Sequence, residues 1–232
     1  MAVQLSPNIS PTGTLSRCIT FELWRCAPLA GPVVINQVLD FAVTAGVPNT
    51  AIANAIIQVP CGDYSCITAR DKLHTLRRTV SLGISGTQYT ADFTGNTHWL
   101  ISGNLNDDAF IDITDFAIFV NRFNTNYGTG NTSCITPPPY HADISGDGIV
   151  NAADFTFVQI NFLSARDANC CGQPAAADSG PVTDISVAEL RAMGMGNLAV
   201  ADLNRDGRVN QTDIALFMLG VRPNRSATGS PD

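Results

Sequence analysis

The chain has 232 residues, only 14% of them charged, and a formal charge of −7; an average soluble protein carries roughly 25% charged residues. With Lys72 as its one lysine and Arg77-Arg78 as its densest basic run, it lacks the electrostatic footprint of a nucleic-acid binder. No stretch has the apolar length of a membrane span: Ala51–Pro60 comes nearest and is interrupted by Asn54 and Gln58.

Residues 1–17 are polar and broken by Pro7, Pro11 and Gly13. Ala2–Leu5 suits one short strand. The segment is expected to build no core: it is an N-terminal extension, packed on its own domain or exchanged into an open sheet edge of a neighbouring copy. Residues 18–103 read as β. Alternating runs at Cys18–Trp24, Val33–Ala45, Ala51–Val59, Tyr64–Arg70 and Gln88–Phe93 are separated by turn residues, which predicts an antiparallel β-sandwich. From residue 104 to 222 the pattern turns helical, so the fold class is α+β, with an all-α calcium-binding region after the sandwich. No flexible linker separates the halves near Ser102–Asn104, which predicts that they pack together. Residues 223–232 form a tail.

The helical region is punctuated by one pattern, used three times. In 202–213, Asp202, Asn204 and Asp206 place side-chain oxygens at positions 1, 3 and 5 of a loop. Gly207 allows a sharp turn at position 6, Arg208 offers its carbonyl at 7, Asn210 stands at 9 and Asp213 closes at 12. Calcium takes six to eight oxygens and needs this spacing. Residues 143–154 repeat it with Asp143, Ser145, Asp147, the Ile149 carbonyl, Asn151 and Asp154. Residues 104–115 repeat it with Asn104, Asn106, Asp108, the Phe110 carbonyl, Asp112 and Asp115. After each loop, apolar residues fall at helical spacing: Phe116, Phe119 and Phe123; Phe155, Val158 and Phe162; Ile214, Phe217 and Val221. The first loop is the poorest, because Ala109 replaces the glycine at position 6 and Asn104 removes a charge. Two calcium ions are expected in 143–154 and 202–213, with 104–115 as a third site. Three ions would bring the net charge from −7 to about −1.

Long loops cover Gly128–Pro139 and residues 164–184. Ser186 and Glu189 then form a capping box for a helix running to about Met193. Seven cysteines predict an oxidising compartment. The start of the chain lacks a basic, then apolar leader, so the reading is a mature secreted protein. Cys18, Cys26, Cys61 and Cys66 allow three pairings. Cys18–Cys66 with Cys26–Cys61 is favoured, because Cys18-Ile-Thr and Cys66-Ile-Thr look like matching strand starts. Cys134 is then left for Cys170 or Cys171, with one cysteine over.

The three loops, each followed by one helix and closed by Asp at position 12, resemble dockerin type I repeats, which are EF-hand-like. Together with Cys18-Ile-Thr-Phe-Glu-Leu, 66–77 and His98-Trp-Leu-Ile-Ser-Gly-Asn-Leu-Asn-Asp-Asp, the chain resembles secreted bacterial surface proteins. In those, a carboxypeptidase-regulatory or transthyretin-like module runs into dockerin repeats. The resemblance implies that repeats one and two pair as a dockerin-like unit and the third forms a full helix–loop–helix. It also implies that positions 10 and 11 would meet a cohesin. Here these are Ile113-Thr114, Ala152-Ala153 and Gln211-Thr212, which differ from each other and from the usual Ser-Thr.

Catalytic chemistry finds little support. Glu22 and Glu189 have structural roles, and His74, His98 and His141 lie in unrelated contexts without a nucleophile motif. Trp24, Trp99, Tyr64 and Tyr89 could serve a carbohydrate-binding module, and Asn8, Asn131, Asn210 and Asn224 match the glycan-acceptor pattern. The expectation is a non-enzymatic, extracellular calcium-binding structural protein of the cell surface or of a fibre. It would partner with itself or with another extracellular protein, and docking onto a cohesin is the alternative.

Overall fold

The computed structural model describes residues 1–10, 13–26, 30–46, 48–95, 97–134, 140–172 and 180–224. The first half contains β1 (Ala2–Gln4), β2 (Gly13–Trp24), β3 (Val33–Thr44), β4 (Thr50–Asn54), β5 (Cys66–Arg70), β6 (Arg78–Ser81), β7 (Gly83–Ser85), β8 (Gln88–Thr90) and β9 (Asp92–Phe93). The second contains α1 (Ile113–Arg122), α2 (Ala152–Ile160), β10 (Asp184–Ser186), α3 (Val187–Ala192), β11 (Arg208–Asn210) and α4 (Gln211–Met218). The Pro137–Pro139 run and parts of the loops at 27–32 and 164–184 fall outside the described residues, as does most of the 223–232 tail.

Strict alternation builds the sheet. β2 turns Leu15, Arg17, Ile19, Phe21 and Leu23 inward, and all are buried. β2 pairs with β3 along eleven residues, Gly13 with Val43 through Leu23 with Val33, and with β5 on its other edge. The order is β6-β5-β2-β3-β4-β1-β9, antiparallel except for β1 with β9. Bridges from Leu5 to Leu100 and from Thr75 to Ser102 join the two ends of this order. The expected sandwich is therefore corrected: the main strands form one sheet that rolls on itself. Alternation tells which residues face inward, but twist and edge pairing decide whether a sheet splits or rolls.

The N-terminal segment is also corrected. β1 lies between β4 and β9 of its own chain, and Val3, Leu5, Ile9 and Leu15 are all buried. Of the two placements expected for this segment, the structure has the one on its own domain, and it does contribute to the core.

The second half is not all-α. β10 and β11 form a two-stranded ribbon, with Ile185 opposite Val209. Ser186 and Glu189 make the expected capping box at the start of α3. Five phenylalanines join the three repeats: Phe217 of α4 meets Phe116, Phe119, Phe123 and Phe155 at ring-centroid distances of 5.0–6.2 Å. One continuous cluster of buried apolar residues runs from Val3 in the sheet to Phe217 in α4.

The disulfides cross between the halves instead of staying within them. Cys18 pairs with Cys134, Cys26 with Cys171 and Cys66 with Cys170, while Cys61 is free and exposed. The expected Cys18–Cys66 and Cys26–Cys61 pairs are overturned, as is the link from Cys134 to Cys170 or Cys171. Matching strand starts carry no information about which neighbour covers them; here that neighbour is the second half of the chain.

Candidate metal centre

In each loop, position 9 is also the N-cap of the following helix and position 12 is its third residue. The side chains of Asp112, Asn151 and Asn210 accept from the backbone N–H two residues on. Asp115, Asp154 and Asp213 reach back to the cap N–H at 2.8, 2.8 and 3.0 Å. Loop closure and helix initiation thus use the same two residues. The other oxygen of each closing Asp accepts from the loop's start: Leu105 N–H at 2.6 Å, Ser145 N–H at 2.7 Å and Leu203 N–H at 2.7 Å.

Position 1 is wrapped by its own loop. Asp143 accepts from Gly146 and Gly148 N–H at 3.0 and 2.9 Å; Asp202 accepts from Asp206 and Gly207 N–H at 3.1 and 2.9 Å. At position 5, Asp108, Asp147 and Asp206 each accept from the N–H of position 7, all at 2.9 Å. Gly148 and Gly207 have φ of 90° and 88°, and a Cβ at 148 would stand 2.5 Å from the Gly128 carbonyl oxygen. Ala109 is not in the positive-φ region, so loop one follows a different path at position 6 and the backbone strain expected there is absent.

Loops one and two are joined by a pseudo-twofold pattern. Ile111 exchanges backbone hydrogen bonds with Leu163 and Ser164, and Val150 does so with Asn124 and Thr125. Asn124 and Leu163, at matching places after α1 and α2, have φ of 63° and 65°. The position-8 residues Ile111, Val150 and Val209 are fully buried and pin all three loops to the core.

The loops differ in what surrounds them. Loop two lies against the sheet, with Asp143, Ser145 and Asp154 at 0% exposure. Ser10 N–H donates to the Ser145 carbonyl at 2.9 Å, and Arg17 donates to the Asp143 carbonyl at 3.0 Å. Loop three is more open, with Asn204, Asp206 and Arg208 exposed. Loop one touches the sheet through an ion pair between Asp107 and Arg70 at 2.9 Å.

Of the three histidines expected in unrelated contexts, His74 and His141 meet, while His98 stays apart beside Thr97. Asp71 holds His74 Nδ1 at 2.6 Å, and His74 Nε2 lies 2.9 Å from His141 Nδ1. Arg17 lies 3.3 Å from His74 Nε2, and His141 stacks on Tyr127 with ring centroids 4.0 Å apart. Burial, helped by His74 and Arg17, pushes His141 down to about 2, so the ring is neutral. An arginine at an inward position of β2 was the one available signal.

These groups fit a hard cation. Asp143, Asp147 and Asp154 bring one carboxylate oxygen each within 4.8 Å of one another, with donors that are all oxygen. In loop one the Asn104 side-chain oxygen is buried and, among the described residues, has no hydrogen-bond partner. Burial pushes Asp115 well above the carboxylate range, Asp154 up to about 6, and Asp213 upward. A divalent ion would supply the charge that this burial otherwise opposes.

Residues 102–163 match the family described as Dockerin type I domain, so the match takes in loops one and two with both following helices and stops short of loop three. Dockerin domains are non-catalytic docking modules that bind calcium, and they occur in extracellular and cell-surface proteins. Neither the curated proteins nor the solved structures contain a match. Among the described residues no helix is long and apolar enough to cross a membrane.

Positions 10 and 11 of the three repeats, which the resemblance would turn toward a cohesin, are unequal. Ile113 and Thr114 are buried, with Ile113 N–H donating to the Val182 carbonyl at 3.1 Å. Ala152, Gln211 and Thr212 are exposed. The four aromatics weighed for sugar stacking do not make a shared open face: Tyr64 is buried and packs edge-on against Tyr89 at 5.8 Å.

Proposed function

We propose that this chain is an extracellular, non-enzymatic structural protein whose core is locked by calcium. The ligands are the residues at positions 1, 3, 5, 7, 9 and 12 of loops 143–154 and 202–213, with 104–115 as a third site. The observation that carries the reading is the threefold recurrence of a fully buried position-12 carboxylate tied at both oxygens to its own loop. Calcium chemistry supplies charge and six to eight bonds to oxygen. The chain supplies preformed loops, two of them wedged between the sheet and the helices. The same placement supports residues 104–222 as the calcium-binding region and a secreted, surface-exposed setting. Self-association into a larger assembly belongs to this reading. Calorimetric titration of metal-free protein tests it: two or three calcium ions per chain are expected, and none would overturn it.

The family match favours a second reading, docking onto a cohesin-bearing partner. Because Ile113 and Thr114 are covered, such docking would use Ala152-Ala153 of the second repeat. Capture on immobilised cohesin, lost on Ala153→Arg, would support it; no capture in saturating calcium would count against it.

A further inference from the structure

Loop two is strapped down by a segment of its own chain, residues 128–134. Tyr127 N–H donates to the Gly148 carbonyl at 2.7 Å, and from there the strap runs back along the loop in the opposite direction. Its backbone lies directly on the loop's backbone. A Cβ at Gly130 would collide with the Gly146 carbonyl, and one at Gly148 would stand 2.5 Å from the Gly128 carbonyl oxygen. Only glycine permits so close an approach. Leu15 of β2 also lies against Gly146.

The strap then passes onto the sheet. Thr132 N–H donates to the Ser16 carbonyl at 2.9 Å, Asn131 Oδ1 accepts from Ser16 N–H at 2.8 Å, and Thr132 Oγ1 accepts from Cys18 N–H at 3.2 Å. These bonds use the part of the β2 edge that β5, paired only with Thr20–Trp24, leaves open. The Cys18–Cys134 disulfide ties the strap to β2 covalently. Loop three has no such cover. Its positions 3 to 7 are exposed, and a Cβ at Gly207, the counterpart of Gly148, would meet nothing within 4 Å.

We propose that the strap makes loop two a permanent, slowly exchanging calcium site, while loop three exchanges freely with the surroundings. An ion leaves such a loop only when the ligating segment opens locally. In loop three, residues 204–208 open into solvent without displacing any other segment. In loop two, positions 4 and 6 move only if the strap peels from β2, and the disulfide limits how far it peels. This inference rests on the calcium reading and divides its sites into a structural lock and a responsive one.

The test uses the intact, disulfide-bonded protein loaded with radioactive calcium and then passed into excess chelator, with retained ions counted per chain over time. One ion per chain should leave at least about tenfold more slowly than the rest. Asp147→Ala should remove that slow class, and Asp206→Ala should remove a fast one. Two variants should turn slow release into fast: Cys18→Ser combined with Cys134→Ser, and Gly130→Ala, which lifts the strap with the disulfide intact. Melting curves establish that each is folded, and Gly130→Ala carries the test should the cysteine pair not fold. Release of all bound ions in one fast phase would overturn the proposal. So would a slow phase that both strap variants keep, or one lost on Asp206→Ala instead of Asp147→Ala. Equilibrium stoichiometry separates the two readings: no bound calcium at all defeats the metal reading itself, whereas bound but uniformly fast ions defeat only the strap.

Discussion

Asp154 and Arg17 show how single side chains would set the behaviour of the proposed metal centre. Asp154 is held near 6 by burial, against two N–H bonds that favour its charged form. Its folded value lies above its unfolded one. In metal-free protein it therefore contributes stability that is full below about 4 and is lost as pH rises through about 6. Calcium needs the same carboxylate ionised, so proton and metal compete. Calcium affinity at loop two should fall about tenfold per pH unit below 6; an affinity unchanged between pH 7 and pH 5 would refute the assignment of Asp154 as a ligand. Arg17 is 1% exposed and binds the carbonyl oxygens of Asp143 and Ile144 at 3.0 and 3.3 Å. Arg17→Met would leave those oxygens and Asp71 without their cation, at a cost of about 3 kcal/mol. For a chain of this size that lowers the melting temperature by roughly 6–12 °C. A shift of a degree or less would show that the network contributes little.

Each repeat combines a loop with the helix it starts, and the three are not interchangeable. In loop one, position 6 needs no left-handed backbone, so restoring the glycine would relieve nothing. Ala109→Gly should lower stability by roughly 0.5–1 kcal/mol through added freedom of the unfolded chain, without strengthening calcium binding. A gain in affinity seen by titration would mean that the loop rearranges around the ion. The α1 helix behaves as a core helix: every residue from Ile113 to Val120 is buried. In α2 only Asp154, Phe155, Phe157 and Val158 are buried, and in α4 only Asp213 and Phe217. Helices of similar sequence thus take different roles according to what packs around them.

Sheet and helices share one apolar core and three disulfides, so the molecule should unfold as a unit. Chelation should lower a single melting transition rather than loosen the helical half alone. Each site contributes roughly 2.7 kcal/mol when calcium stands at one hundred times its dissociation constant. Differential scanning calorimetry with and without chelator checks this, and two separate transitions would speak against a shared core. Peptide mapping of unreduced protein should recover Cys18–Cys134, Cys26–Cys171 and Cys66–Cys170, with Cys61 open to alkylation. Any bond confined to residues 18–66 would contradict the fold.

What could be read from the chain alone was whatever local spacing determines. The candidate ligand positions 1, 3, 5, 9 and 12, the helices after them, the Ser186–Glu189 capping box and the alternation of Cys18–Trp24 all follow from periods within a dozen residues. Backbone geometry makes such periods unambiguous. Only the tertiary structure decided what lies far apart in sequence: the rolled sheet, β1 seated in its own chain, the cross-connected cysteines and the meeting of His74 with His141 across 67 positions. Pairing across such distances depends on which surfaces bury each other, and a strand or a cysteine is compatible with many neighbours until the whole core forms.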